Sequence, residues 1–352
     1  MWLRLGCVCF GHWKSACLIH DSAGTPSGNV SCADTPHPRP NLGLLKGLYF
    51  RLIHVYNVGM IGIFDSGYGG LTIMREIVKT LPQYDYLYLG DNARAPYGNH
   101  SKETVTKFSE EAVRFLFDKG CNLIIFACFT ASSLALRELQ EKYLRNPCLP
   151  AGEAKSKFKD RKILGVIRPI AEQAVRETMT GRIGVTGTRA TVNSHTFDVE
   201  LEKEWKLASG HKKGIKLDLT SQACPLLVPL IEEHWHTKPE ARMILKKYLR
   251  PVKNHNVDTL ILGCTHYPLM LRDFVSFMGS RVKVLNSGEI VARSLADYLT
   301  RHPEIEKKLS RGGARKFMTT DDPAKFKQFV EEFGGMKAGD VEGAEVGKIT
   351  SR

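Results

Sequence analysis

The sequence predicts an α/β protein built as two similar doubly wound parallel-sheet domains facing each other across a cleft. Three observations carry that expectation. From Met60 onward, short apolar runs alternate with helical patterns, as in parallel strands joined by crossover helices. The alternation falls into two stretches that resemble each other. In each stretch one apolar run ends on a cysteine, Cys128 in the first and Cys264 in the second.

The expected strands are Ile61–Asp65, Tyr86–Asp91, Leu123–Cys128, Ile163–Ile167, Arg182–Thr186, Lys216–Leu219, Thr259–Cys264 and Val282–Asn286. Near-continuous apolar runs of this length suit strands covered on both faces. Helical periodicity lies between them, for example at Leu71–Thr80, Lys102–Lys119, Thr130–Leu144 and Ala223–Glu233. The opening strand of one half leads into the turn Asp65-Ser66-Gly67-Tyr68-Gly69-Gly70, and its counterpart leads into Gly187-Thr188. Further on, one strand ends at Cys128-Phe129-Thr130 and its counterpart at Cys264-Thr265-His266. Ligands of open α/β sheets bind outside the carboxyl ends of the strands. Twin halves would therefore set one thiol on each side of a shared cleft.

Several segments stand apart from this pattern. Arg145–Lys162 is rich in Pro, Gly and Lys and reads as a surface insertion. Asp321–Phe333 reads as a short helix with Phe326, Phe329 and Phe333 on one face. Residues 1–59 hold four cysteines, several Pro and Gly, and no clear period. They are expected to be a flexible extension or an upstream stretch carried into the predicted gene, with no chemistry. Arg4, Gly11, His12 and Lys14 interrupt Met1–Ile19 and make it a poor signal peptide. No second pair follows Cys7, Cys9 and His12 to complete a metal site.

Composition narrows the function. A chain of 352 residues can bury two sizeable cores. No apolar run reaches the ~18 residues of a membrane span, so no membrane partner is expected. The net charge of +13 raises the question of nucleic acid. Its Lys and Arg residues are scattered, and the clusters Lys155–Lys162 and Arg311–Lys316 lack interleaved stacking aromatics, which argues against that partner. From Met60 onward the cysteines are irregularly spaced, against both a disulfide framework and a zinc site. Free thiols point to the cytoplasm.

The chemistry concentrates at the strand ends. Cys128 precedes a helical pattern, and a helix N-terminus favours a thiolate. The other reading is a buried structural cysteine. Cys264 sits in Gly263-Cys264-Thr265-His266-Tyr267-Pro268, where His266 can carry protons at neutral pH. A lone Cys–His pair could serve acyl transfer. Two equivalent thiols in two equivalent halves suggest instead one acid and one base on opposite faces of a single carbon. The glycine turn at Asp65–Gly70 lacks the spacing and lysine of a phosphate loop. Its glycines would let backbone and hydroxyl groups approach a small ligand. Gly90-Asp91-Asn92-Ala93-Arg94-Ala95-Pro96-Tyr97-Gly98 sets an acid at another strand end. Asp65 and Asp91 could equally cap helices.

Ile61–Gly70, Gly90–Gly98, Ala127–Ala131, Ala223–Glu232 and Leu262–Pro268 resemble the motifs of the glutamate racemase family, in order and at plausible spacings. Lesser matches occur at Gly184–Thr188 and Asn286–Glu289. The resemblance runs from about Met60 to Leu299, or through the Asp321–Phe333 helix at its longest. It implies a cofactor-independent isomerase that interconverts L- and D-glutamate, the D-isomer feeding peptidoglycan synthesis. It implies Cys128 and Cys264 as the catalytic pair, with Asp65, Asp91, Glu232 and His266 assisting. It implies that Asp65, Ser66, Tyr97, Gly98, Thr130, Thr265 and His266 hold the substrate. Phe129 would face the substrate where the family usually has Asn, and Arg168 stands where Glu is common. Phe129 leaves open a racemase for aspartate or another acidic amino acid, or a binding homologue without turnover. Thr265-His266 speaks against aspartate, whose racemases usually resemble Cys-Thr-Glu at that motif. The resemblance also implies a first domain of 60–168 plus about 286–335, a second of 169–285, and homodimers as a common assembly. A flexible tail is expected at 336–352.

Overall fold

The computed structural model describes residues 59–145, 158, 160–208 and 214–347. The expectations for residues 1–58, for most of the Arg145–Lys162 segment with its basic cluster, and for 348–352 lie outside the described residues.

The first set of elements is β1 (Met60–Asp65), α1 (Leu71–Thr80), β2 (Tyr86–Gly90), α2 (Lys102–Asp118), β3 (Cys121–Phe126), α3 (Phe129–Leu134), α4 (Leu136–Gln140) and β4 (Lys162–Gly165). The second is α5 (Ile167–Glu177), β5 (Arg182–Gly187), α6 (Arg189–Asn193), α7 (Thr196–Ala208), β6 (Asp218–Ala223), α8 (Leu227–Glu232), α9 (Pro239–Asn254), β7 (Thr259–Gly263), α10 (Leu271–Met278) and β8 (Lys283–Leu285). The chain finishes with α11 (Ser287–Arg301), α12 (Pro303–Glu306), β9 (Arg315–Thr319), α13 (Pro323–Glu332) and β10 (Val341–Gly343).

These strands form two wholly parallel sheets, in the orders β10-β9-β2-β1-β3-β4 and β6-β5-β7-β8. The order β2-β1-β3-β4 repeats as β6-β5-β7-β8, so the likeness of the two halves extends to topology. Each order reverses direction about its first strand, which is where an open sheet leaves a crevice.

Alternate residues of a strand face opposite sides of its sheet. Phe64, Leu87, Leu89, Ile124 and Phe126 meet Val105, Val113, Leu116 and Phe117 of α2 on one side. Ile61, Ile63, Tyr86, Tyr88, Leu123 and Ile125 face the other. That second core continues through α1, α5 and α11 to Ile183, Val185, Leu260 and Leu262 of the second sheet. Ile63 has no exposed surface in this shared core. Its replacement by Ala would cost about 2–5 kcal/mol. Helix starts are capped locally: Ser101 Oγ accepts from Thr104 N at 3.3 Å, and Asp322 Oδ1 accepts from Ala324 N at 2.8 Å.

Three expectations need correction. The strand expected at Lys216–Leu219 lies at Asp218–Ala223, because pairing with β5 sets its register and its edge position needs few apolar residues. The helix expected over Thr130–Leu144 breaks at Ala135 into α3 and α4. The described part of the expected flexible tail contains β10, which pairs with β9 while Ala344 is buried beyond it. Backbone hydrogen bonding, not composition, orders that segment. Among the described residues, no helix is long and apolar enough to cross a membrane.

Candidate active site

Both thiols reach one cleft from the carboxyl ends of equivalent strands. Cys128 follows β3 and is the N-cap of α3; Cys264 follows β7. The cleft is lined by Ser66, Gly67, Ala95, Pro96, Tyr97, Gly98, Cys128, Phe129, Thr130, Thr188, Val228, Glu232, Cys264, Thr265 and His266. Its volume is about 30 Å³, room for no more than a water or two.

The surroundings of Cys128 are polar but uncharged at the closest approach. Its sulfur lies 3.3 Å from Ser66 Oγ and accepts from Ala131 N at 3.4 Å. Burial and then the charge of Asp65 push the thiol up to about 12, although Ser66 and the Ala131 amide pull it down. The lowering expected from the helix N-terminus is thus outweighed: α3 is short, the sulfur is 4% exposed with its residue, and a carboxylate stands near.

Cys264 meets a different partner. His266 Nδ1 lies 3.8 Å from its sulfur, and His266 Nε2 lies 2.9 Å from Glu232 Oε1. Burial alone would lower the imidazole pKa. Hydrogen bonds and negative charge from Cys264 and Glu232 overcome it and push the group up to about 10. At neutral pH a buried imidazolium therefore stands beside Cys264.

Asp65 lies behind the lining, without exposed surface. Gly67 N donates to its Oδ2 at 3.0 Å, while Oδ1 is buried with no hydrogen-bond partner. Burial raises its pKa; His266 and the nearby amides of Gly70 and Gly67 oppose the rise. The glycine turn comes very close to the other half. A Cβ on Gly69 would fall 2.3 Å from Thr265 Oγ1 and 2.4 Å from His266 Nδ1, so only glycine fits. A Cβ on Gly98 would fall 2.8 Å from Thr188 Cβ.

Other expected site residues are distributed unevenly. Ser66, Tyr97, Gly98, Thr130, Thr265, Glu232 and His266 all line the cleft. Asp91 does not. Its carboxylate accepts from Arg94 Nε at 2.7 Å, from the Tyr97 hydroxyl and from Thr320 Oγ1 at 2.9 Å. It orients Tyr97 and is brought to neither sulfur. Phe129 also lines the cleft; it is buried, and its ring stacks on Phe197 of α7 at 6.1 Å between centroids and 24° between planes. Arg168 is exposed and pairs with Glu172 at 3.0 Å and Glu204 at 3.6 Å, away from the cleft.

Gly67, Ala95, Pro96, Thr188 and Val228 also line the cleft without having been among the expected site residues. Thr130 Oγ1 lies 3.0 Å from Thr188 Oγ1 and 3.3 Å from Thr191 Oγ1, and the latter two lie 3.0 Å apart. This hydroxyl cluster joins α3 to the start of α6 across the cleft. Thr188 follows β5, so the strand-end rule that found the cysteines could have found it. Val228 carries no such signal.

Residues 61–295 match the family described as Asp/Glu/Hydantoin racemase. A glutamate racemase of Geobacter metallireducens is 40% identical over 286 residues, covering 80% of this chain and 94% of that one. A glutamate racemase of Listeria monocytogenes is 35% identical over 288 residues, covering 82% and 98%. Among solved structures, a glutamate racemase isoform of Bacillus anthracis has a TM-score of 0.69 at 32% identity, covering 82% of this chain and 97% of that one. The glutamate racemase of Francisella tularensis, solved in complex with D-glutamate, has a TM-score of 0.69 at 28% identity, covering 82% and 98%.

Proposed function

The chain belongs to the Asp/Glu/hydantoin racemase family, and from that premise we propose that it interconverts L- and D-glutamate with two thiols as its acid and base. The carrying observation is that Cys128 and Cys264, from equivalent positions in twin sheets, line a single cleft. A carbon held between them can lose its α-proton to one sulfur and gain a proton from the other. Inversion follows because the two transfers occur on opposite faces. The reverse direction exchanges the roles. The D-glutamate formed would supply cell-wall synthesis in the cytoplasm.

The site's charges suit this scheme. The Cys128 thiol, held up at about 12, is a loaded proton donor at neutral pH. The sulfur of Cys264 faces the His266 imidazolium, which Glu232 fixes from behind. We assign Asp65, with its unpaired buried Oδ1, to the substrate ammonium or to the field around Cys128. Hydroxyls of Ser66, Thr130, Thr188 and Thr265 and the backbone of Gly98 are available to the carboxylates. Preorganised donors in a dry cleft are what a carbanion-like transition state requires. Phe129 offers no amide, so Thr188 and Thr265 carry more of the anchoring. Glutamate needs more room than this cleft holds, so we infer that the halves part to admit it.

The test is racemisation of L-glutamate followed by circular dichroism, with Cys128→Ala in parallel. Decay of the signal to zero in wild type, and none in the variant, supports the reading. A wild-type protein that leaves glutamate optically unchanged at high enzyme concentration rules it out.

A further inference from the structure

Outside the cleft, a column of rings ties the C-terminal helix to both thiol loops. Phe329 of α13 stacks on Tyr68, with centroids 3.8 Å apart and planes at 19°. It also stacks on His234, at 5.7 Å and 16°. Tyr68 belongs to the glycine turn of the first half. Its neighbour Gly67 holds Asp65, and its neighbour Gly69 abuts Thr265 and His266. His234 lies two residues beyond Glu232, the partner of His266.

Two further observations describe the contact. His234 has φ 58°, the left-handed conformation common just past a helix end, with its N–H bonded to Ile231 O at 3.0 Å. From there its ring meets α13: Phe329, an edge-on Phe333 at 6.1 Å, and Glu332 Oε2 at 3.6 Å from His234 Nε2. Tyr68 meanwhile lies within the field of Glu232, Asp321 and Asp322, which together with burial raise its phenol to about 12. One buried ring therefore touches the loop behind Cys128 and the loop behind Cys264.

We infer that Phe329 is a positioning residue for the two-thiol reaction: through Tyr68 and His234 it fixes Asp65 and the Glu232–His266 pair relative to each other. The residue lies beyond 61–295, the stretch matched by the family. The inference rests on the racemase reading for its kinetic consequence. Displacement of a catalytic group by a fraction of an ångström slows chemistry more than it weakens binding.

The experiment compares wild type, Phe329→Leu, Phe329→Tyr and His234→Ala. Glutamate racemisation is measured in both directions, and carbamidomethylation of Cys264 by iodoacetamide is followed at pH 8 by mass spectrometry. For Phe329→Leu, kcat should fall about tenfold in both directions with KM changed less than about twofold. Alkylation of Cys264 should slow by about fivefold as His266 loses its alignment. Phe329→Tyr keeps the ring and should restore both readouts. His234→Ala removes an exposed ring, should leave folding intact, and should lower kcat about threefold. A folded Phe329→Leu with wild-type kcat and wild-type Cys264 alkylation overturns the inference, as does a loss that Phe329→Tyr fails to rescue. If Phe329→Leu does not fold, His234→Ala decides by the same two readouts. If wild type leaves glutamate unchanged, the racemase reading fails and alkylation alone judges Phe329.

Discussion

Cys128 and Cys264 occupy the same place in their sheets, each just past the third strand of its set, yet their sulfurs meet different neighbours. Cys128 has a hydroxyl and an amide close by and the Asp65 carboxyl near. Cys264 has an imidazolium backed by Glu232. The residues that follow also differ: Phe129 brings to the cleft a ring that stacks on Phe197, whereas Thr265 brings a hydroxyl. A repeated topology has placed two like groups, and the loops around them have made those groups chemically unlike. Such inequality is useful to a two-base enzyme, because a proton must be present on one side and absent from the other.

The most damaging test of this comparison removes either sulfur. Cys128→Ala and Cys264→Ala should each lower racemisation by about 10³-fold or more, measured by circular dichroism, since neither half can act alone. Next in size, His266→Ala should lower kcat by about 10²-fold. It should also slow alkylation of Cys264 while leaving Cys128 unchanged; equal slowing of both would dissolve the distinction between the halves.

Glu232→Gln should have a smaller effect, about tenfold on kcat, and should lower the His266 pKa from about 10, read by NMR titration. The sign can be followed in stability. His266 is raised above its unfolded value of 6.5, so its contribution is complete below about pH 6.5 and is lost as pH rises through about 10. In Glu232→Gln that loss should be smaller and be complete at lower pH, as seen in urea midpoints across a pH series. An unchanged profile would mean that Glu232 does not hold the imidazolium.

Thr188→Ala should raise KM about threefold with little change in kcat, as expected for one lost hydroxyl among several. The smallest kinetic change is expected from Phe129→Asn, which inserts a polar group where Phe129 now stacks on Phe197. Its main signature should be destabilisation of about 3 kcal/mol by urea unfolding. A stable variant with much faster turnover would mean that position 129 acts on the substrate more than through its packing on Phe197.

Much of this was legible before any coordinates. Strand-end cysteines in repeated halves located both thiols, because apolar strands that end abruptly on a polar turn leave a strong pattern. His266 was visible through its spacing from Cys264, and Glu232 through the family resemblance. What could not be read were relations set by tertiary packing. Asp91 looks like an acid at the mouth of a sheet, but Arg94, Tyr97 and Thr320 consume its oxygens. Phe326, Phe329 and Phe333 announced an apolar face on α13, but not that Tyr68 and His234 would meet Phe329. The edge strand β6 reads Asp-Leu-Thr-Ser-Gln-Ala, so no apolar period marks it. The field at Cys128 was misjudged because helix-terminal amides are visible in sequence while burial and the nearness of Asp65 are not.

The central claim is that the two thiols differ in charge environment despite equal burial, at 4% and 5% exposure. Iodoacetamide alkylation of both cysteines in the wild-type protein, resolved by mass spectrometry from pH 6 to 11, tests it most directly. The account predicts that Cys128 gains reactivity only as pH climbs toward about 12, so that its profile differs from that of Cys264 beside His266. Two superimposable profiles, or an earlier rise at Cys128, would contradict it.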